Sequence, residues 1–182
     1  MNQIASRSQL RMSYLRWTLF TVPLVLLLGI AFGRMSGSGY LNRWFAALEK
    51  PDLMPAAWVF GVVWPLLYLL LGLALAMLLH ARGARFRWGA VASFLLLLAL
   101  LFSWSPIFFA AHQITAALYL IIAIFGLGIV TSLIVLRVRP AAAALMVPFL
   151  LWVAFATYLN YEIWRLNPDA ERLVAPAVHT QI

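Results

Sequence analysis

The 182-residue chain is 65% hydrophobic and only 10% charged, far from the composition of a soluble domain, and it carries a net charge of +8. It has no cysteine, which excludes disulfides, thiol catalysis, iron–sulfur clusters and Cys-bound zinc. The positive charge does not point to nucleic acid, because the arginines fall between charge-free runs long enough to cross a bilayer.

The first run, Trp17–Gly33, follows Arg7, Arg11 and Arg16, so residues 1–16 read as a basic N-terminal extension. A basic start before an apolar run also describes a signal peptide. This run is long for one and no A-x-A site ends it, so a retained helix is expected. The next stretch, from Trp44, is polar around Glu49, Lys50 and Asp52 and is punctuated by Pro51 and Pro55. Proline fixes φ and disfavours helix before it, which predicts a stiff, extended loop over Lys50–Pro55. Further spans are expected at Ala57–His80, Trp88–Phe109, Thr115–Leu136 and Ala141–Leu166, with a tight turn at Ala110–Ile114. The polar segment 167–182 reads as a mobile tail. The expected fold is all-α: one domain over 17–166, a five-transmembrane-helix bundle with a lid loop between helices 1 and 2.

Five spans place the termini on opposite sides, and the charges agree. One side holds Arg7, Arg11, Arg16, Arg82, Arg85, Arg87, Arg137 and Arg139 without a single carboxylate. The other holds Arg34, Arg43, Lys50, Arg165 and Arg172, matched by Glu49, Asp52, Glu162, Asp169 and Glu171. The positive-inside rule then predicts a cytoplasmic N-terminus and an outward-facing Trp44–Pro55 loop, as in a bacterial cell membrane; the rule is weaker in an outer or organellar membrane.

Trp17 and Trp88 sit where interfacial anchors belong. Trp64, Trp104 and Trp152 lie too deep for that role. Trp64 with Tyr68, Trp104 with Phe108, and Trp152 with Ala156 and Asn160 each recur at helical spacing and share a face. Such stripes fit either helix packing or an indole-lined cavity for a flat apolar ligand. Gly89-x-x-x-Ser93 and Gly126-x-Gly128 are small-residue patches that suit close helix approach, within one protomer or between two.

Three ordered motifs carry a resemblance: W44-F-A-A-L-E-K-P51 with P55-A-A-W58-V-F-G-V-V-W64-P-L-L-Y68, then W104-S-P-I-F-F109, then P148-F-L-L-W152-V-A-F-A-T-Y-L-N160-Y-E-I-W164-R-L-N167. From Trp17 to Asn167 the chain resembles the TspO/MBR family of tryptophan-rich sensory and translocator (peripheral benzodiazepine receptor) proteins. The resemblance implies a five-helix bundle, often a homodimer, that binds porphyrins such as protoporphyrin IX and haem, benzodiazepine- and isoquinoline-type drugs, and in animal relatives cholesterol. It implies pocket positions at Phe45, Pro55, Trp64, Trp104, Trp152 and Ala156; Tyr68 and Phe108 join them as helical neighbours. The positions matching Trp64 and Trp152 are those tied to light-dependent porphyrin breakdown in some bacterial members. The chain departs from the family in having Leu101 where many relatives place Asn, Ala56 at the loop's second proline and Leu53 near a loop aromatic. Leu159, Tyr161 and Arg165 fit a proposed cholesterol pattern, and equally an interfacial Tyr with a snorkelling Arg.

Enzymic chemistry is not expected beyond that weak light-dependent activity, and no catalytic or metal residues are assigned. His80 and His112 fall on opposite membrane sides and cannot share one haem iron, and His179 is in the tail. Glu162 and Arg165, at i,i+3, are expected to pair. No cofactor is obligatory; a porphyrin would be a ligand, held by stacking with Lys50, Arg43 or Arg34 available to its propionates. The leading expectation is a tetrapyrrole-binding membrane receptor. The alternatives are a small-molecule transporter, which would want broken helices and inverted repeats, and weak light-dependent porphyrin degradation.

Overall fold

The computed structural model describes residues 7–172, so His179 and residues 173–182 lie outside it. Six α-helices follow in order: α1 Arg7–Met35, α2 Arg43–Ala47, α3 Ala57–His80, α4 Arg87–Ser105, α5 Ile114–Leu136 and α6 Pro140–Leu166. All but α2 are long and apolar enough to cross a membrane. The chain is a multi-pass integral membrane protein built as a five-span bundle. α1 starts at Arg7 rather than Trp17, so part of the expected extension is helical.

Around the bundle the order is α1, α3, α6, α5, α4, with α4 touching α1 and α3 only lightly to close the ring. Lipid tails are as apolar as leucine, so the helices must be held by close packing and buried hydrogen bonds. The closest approach is α1 on α3: a Cβ on Gly72 would lie 2.7 Å from the Val22 Cα. There Thr21 Oγ1 donates to the Gly72 carbonyl at 2.8 Å. On the other flank Gly128 admits Leu150, and the Ser93 and Thr131 hydroxyls bond at 2.5 Å between α4 and α5. Ser93 and Gly128 thus serve contacts inside the protomer, whereas Gly89 and Gly126 face outward, with nothing within 4 Å of an added Cβ.

Pro23, Pro65 and Pro148 sit inside continuous helices, tolerated where neighbours re-satisfy the freed backbone groups. Pro106 acts differently. Lacking an N–H, it begins a π-helical turn, Pro106–Ala110, closed by the Ala111 N–H on the Pro106 carbonyl at 2.9 Å. The wider turn buries the consecutive Phe108 and Phe109 together. The α4–α5 turn then closes through His112 at φ 56°, a left-handed conformation uncommon outside glycine.

Gly72→Ala should force α1 off α3 and destabilise by about 1–3 kcal/mol, read as a lower thermal midpoint in detergent. Gly89→Ala should leave the midpoint unchanged. Equal midpoints would show that the α1–α3 seam is not tightly packed.

Candidate functional site

The connector between α1 and α3 builds the site. Gly37, at φ 62°, ends α1 with the Ser38 N–H on the Gly33 carbonyl and the Gly37 N–H on that of Arg34, both at 3.0 Å. Asn42 then caps the short α2, its Oδ1 accepting the Phe45 N–H at 3.1 Å and its Nδ2 donating to the Phe109 carbonyl at 3.2 Å. Sequence reading placed a loop here and missed this turn; the Asn42 cap was the available signal. Beyond it the chain runs extended at Leu48 and again at Ala56, with a tight turn between them in which the Met54 N–H meets the Pro51 carbonyl at 2.9 Å.

α2 lies across the end of the bundle as a roof. Trp44, 5% exposed, stacks on His112 at 4.4 Å and meets Phe108 edge-on at 5.6 Å. Phe45 packs edge-on against Phe109 at 5.2 Å. From the far end of the chain, the Asn167 side chain accepts the Glu49 N–H at 2.8 Å and donates to the Glu49 carbonyl at 2.9 Å. The Trp44 Nε1–H donates to the Ala170 carbonyl at 3.1 Å. Residues 167–172, expected as free tail, instead tie the roof to the end of α6.

Beneath the roof a cavity of about 570 Å³ opens between α1, α3, α4 and α6. Of the residues expected to form the pocket, Phe45, Trp64, Tyr68, Trp104, Phe108 and Ala156 line it together. Trp104 stacks on Phe108 at 5.0 Å and Trp64 on Tyr68 at 5.6 Å, while the absence of a side chain at Gly29 leaves room for the Tyr68 ring. Leu101 does line the wall.

Two expected residues stand elsewhere. Pro55 is off the wall and uses its carbonyl to accept the Tyr40 hydroxyl at 2.7 Å. Trp152 sits behind Phe60, edge-on at 5.7 Å, its buried Nε1–H without a partner among the described residues. Eight helical residues accumulate about 80° of rotation, enough to turn Trp152 away from the face that Asn160 presents. In the sterol-like pattern, Leu159 faces the cavity, Tyr161 packs outside it against Trp164, and Arg165 pairs with Glu162 at 2.7 Å.

The wall is largely apolar, with a few placed polar groups. Asn160, 2% exposed, accepts the Trp104 indole N–H at 3.1 Å and so fixes that ring. The Ser38 and Ser105 hydroxyls bond to one another across the mouth between the connector and α4. Of the three cations proposed for carboxylates, Arg34 alone lines the cavity. Lys50 is engaged elsewhere, its Nζ donating to the Ala46 and Leu48 carbonyls at 3.2 and 2.9 Å and lying 4.8 Å from the Phe45 ring centre. Burial there lowers its pKa, and burial raises that of Tyr40. Sequence reasoning had not singled out Tyr40, Ser38, Ser105 or Met54, which lack a periodic pattern.

The TspO/MBR family profile matches residues 10–165. The chain belongs to the TspO/MBR family. It is 38% identical to the human Translocator protein over 144 residues, 75% of this chain and 85% of that protein. It is 34% identical to the Tryptophan-rich protein TspO of Chlorobaculum tepidum over 155 residues (82% and 98%) and 31% identical to the Tryptophan-rich sensory protein of Cereibacter sphaeroides over 154 (83% and 92%).

Asn167→Ala removes both bonds to Glu49 and should speed hydrogen exchange of the 42–50 backbone about tenfold or more. Arg165→Ala, which ends only an exposed ion pair, should leave that exchange unchanged.

Proposed function

We propose that this protein is a membrane receptor for a flat, largely apolar ligand of the tetrapyrrole class, protoporphyrin IX being the type. The observation that carries this reading is a cavity of about 570 Å³ walled by stacked aromatic pairs, with a single guanidinium, Arg34, at its wall. Its size lies in the range of small-molecule sites. The aromatic faces suit a planar ring, and Arg34 suits a carboxylate. No imidazole lines the cavity among the described residues, and His112 is stacked on Trp44 instead. Recognition in this reading therefore rests on ring faces and carboxylates, with iron secondary. Benzodiazepine- or isoquinoline-type drugs and sterols would use the same wall.

Occupancy reaches the roof through Phe45, which belongs both to the cavity wall and to the cluster around Trp44. A ligand that prefers the closed roof biases that element, which is the physical content of a sensor. Transport typically uses helices unwound at mid-membrane, whereas the one non-α turn here, Pro106–Ala110, lies at a span's outer end, which favours binding. The names Translocator protein and Tryptophan-rich sensory protein of the relatives accord with either role. The charge split supports a cytoplasmic N-terminus in a bacterial inner membrane, and the outward-facing Gly89 and Gly126 leave surfaces for a homodimer.

Protoporphyrin IX should quench the intrinsic tryptophan fluorescence of the detergent-solubilised protein saturably. Trp64→Phe and Arg34→Gln should each weaken the apparent affinity, the latter by about tenfold, while Trp152→Phe should leave it near wild type. Linear quenching, identical in all variants, would mean partition into detergent and would remove the tetrapyrrole reading. Light-driven loss of bound porphyrin that needs Trp64 or Trp152 would add the degradative activity, and ligand-dependent flux across vesicles would replace receptor by transporter.

A further inference from the structure

A second cavity lies at the opposite, basic end of the molecule, about 290 Å³ in volume and lined by Ser13, Arg16, Trp17, Phe20 and Arg82. Its construction follows from how α1 and α3 end. Ser13 Oγ lies 3.4 Å from His80 Nδ1, which levels Ser13 with the last residue of α3. Arg16 is three residues deeper on α1, about 4.5 Å at helical rise, and its long side chain can reach back toward water. Arg82 follows two residues after His80, in the loop to α4. One guanidinium thus comes from the membrane side and the other from the loop, and both line one hollow.

Neither guanidinium has an ion-pair partner among the described residues, where both ion pairs lie at the other end. The sequence offers none nearby, because all five carboxylates belong to the opposite side. Two like charges sharing a hollow repel, and an anion between them would relieve this more than solvent screening does. The remaining wall specifies the anion's carrier. Trp17 and Phe20 supply its apolar part, and Phe20 belongs to the exposed apolar surface of α1 that continues through Leu24.

We propose that this hollow binds a phosphate group at the basic membrane surface, with Arg16 and Arg82 as its charge partners and the Ser13 hydroxyl as a hydrogen-bonding neighbour. The apolar flank points to an anionic phospholipid headgroup as the carrier, its acyl chain lying along Phe20 and Leu24. A soluble phosphate would present the same chemistry to the two arginines without using that flank.

The test uses the full chain in nanodiscs of equal parts phosphatidylcholine and phosphatidylglycerol, with retained lipid counted by native mass spectrometry. Each basic side chain near an anionic surface contributes roughly 1 kcal/mol, so Arg16→Gln with Arg82→Gln should lower phosphatidylglycerol retention about thirtyfold. Arg43→Gln, on the other side, should leave it unchanged, and Arg16→Lys with Arg82→Lys should restore most of it. In a second arm, inorganic phosphate is titrated into protein in neutral detergent while tryptophan emission is followed. Selective loss of phosphatidylglycerol establishes the lipid headgroup. A saturable response to inorganic phosphate that the double Gln variant abolishes, without lipid selectivity, establishes the same site with a soluble ligand. Equal lipid retention in all variants, with no phosphate response, overturns the proposal.

Discussion

The structure depends on how an opened bundle end is closed without water or lipid filling it. α1 is committed to α3 and α4 to α5, so the seam between α1 and α4 stays loose. On the cavity wall Phe32, stacked on Phe102 at 5.8 Å, bridges it. At the outer level the helices leave a hollow, and the connector must roof it. Trp44 and Phe45 do so by packing onto Phe108 and Phe109, which lie buried together in the π turn at Pro106. The π turn that starts at Pro106 thus supplies the ring pair on which the roof rests.

Roof closure is paired with tethering. Aromatic packing supplies area but little direction, since an indole can slide on a phenyl face. Direction comes from hydrogen bonds that leave few alternatives: the reciprocal pair between Asn167 and the Glu49 backbone, the Trp44 indole on the Ala170 carbonyl, and Asn42 on Phe109. They join the connector to the α4–α5 turn and to the chain beyond α6. His112 holds a left-handed backbone that a non-glycine residue adopts at some cost, and its stack on Trp44 helps offset that cost. A shift of the roof would thus be felt at both elements.

Much of this was legible in the sequence, for definable reasons. Span number and ends follow from charge-free runs interrupted by arginine pairs and prolines. The cavity rings follow from indoles placed too deep to be anchors, at spacings that keep them on one face. Two residues were misplaced because tertiary packing, not local pattern, decides where a helix face points and which distant partner a side chain meets. Trp152 is on the stripe of Ala156 and Asn160 by spacing, yet helical drift and Phe60 turn it from the cavity. Asn167 looked like tail because its partner, the Glu49 backbone, is 118 residues away and no local pattern marks it. The π turn was hidden too, since the expected span Trp88–Phe109 ran straight through Pro106 and apolar periodicity does not mark a widened turn.

The two ends of the molecule solve opposite electrostatic problems. On the roof side positive and negative residues are matched in number, and the Glu162–Arg165 pair and the carbonyls around Lys50 hold several of them locally. That end is neutral by count, and a single guanidinium, Arg34, lines its largely apolar cavity. On the basic side no arginine has an ion-pair partner among the described residues, and Arg87 donates to the Leu78 and Leu79 carbonyls at 3.1 and 2.8 Å and lies over Trp88. Capping α3 this way neutralises no charge. Orientation in the membrane requires that imbalance, so the fold cannot remove it by adding carboxylates without weakening the signal that orients the chain. The counter-charge must then come from the surface against which the basic end rests, and the hollow between Arg16 and Arg82 is where the fold leaves room for it.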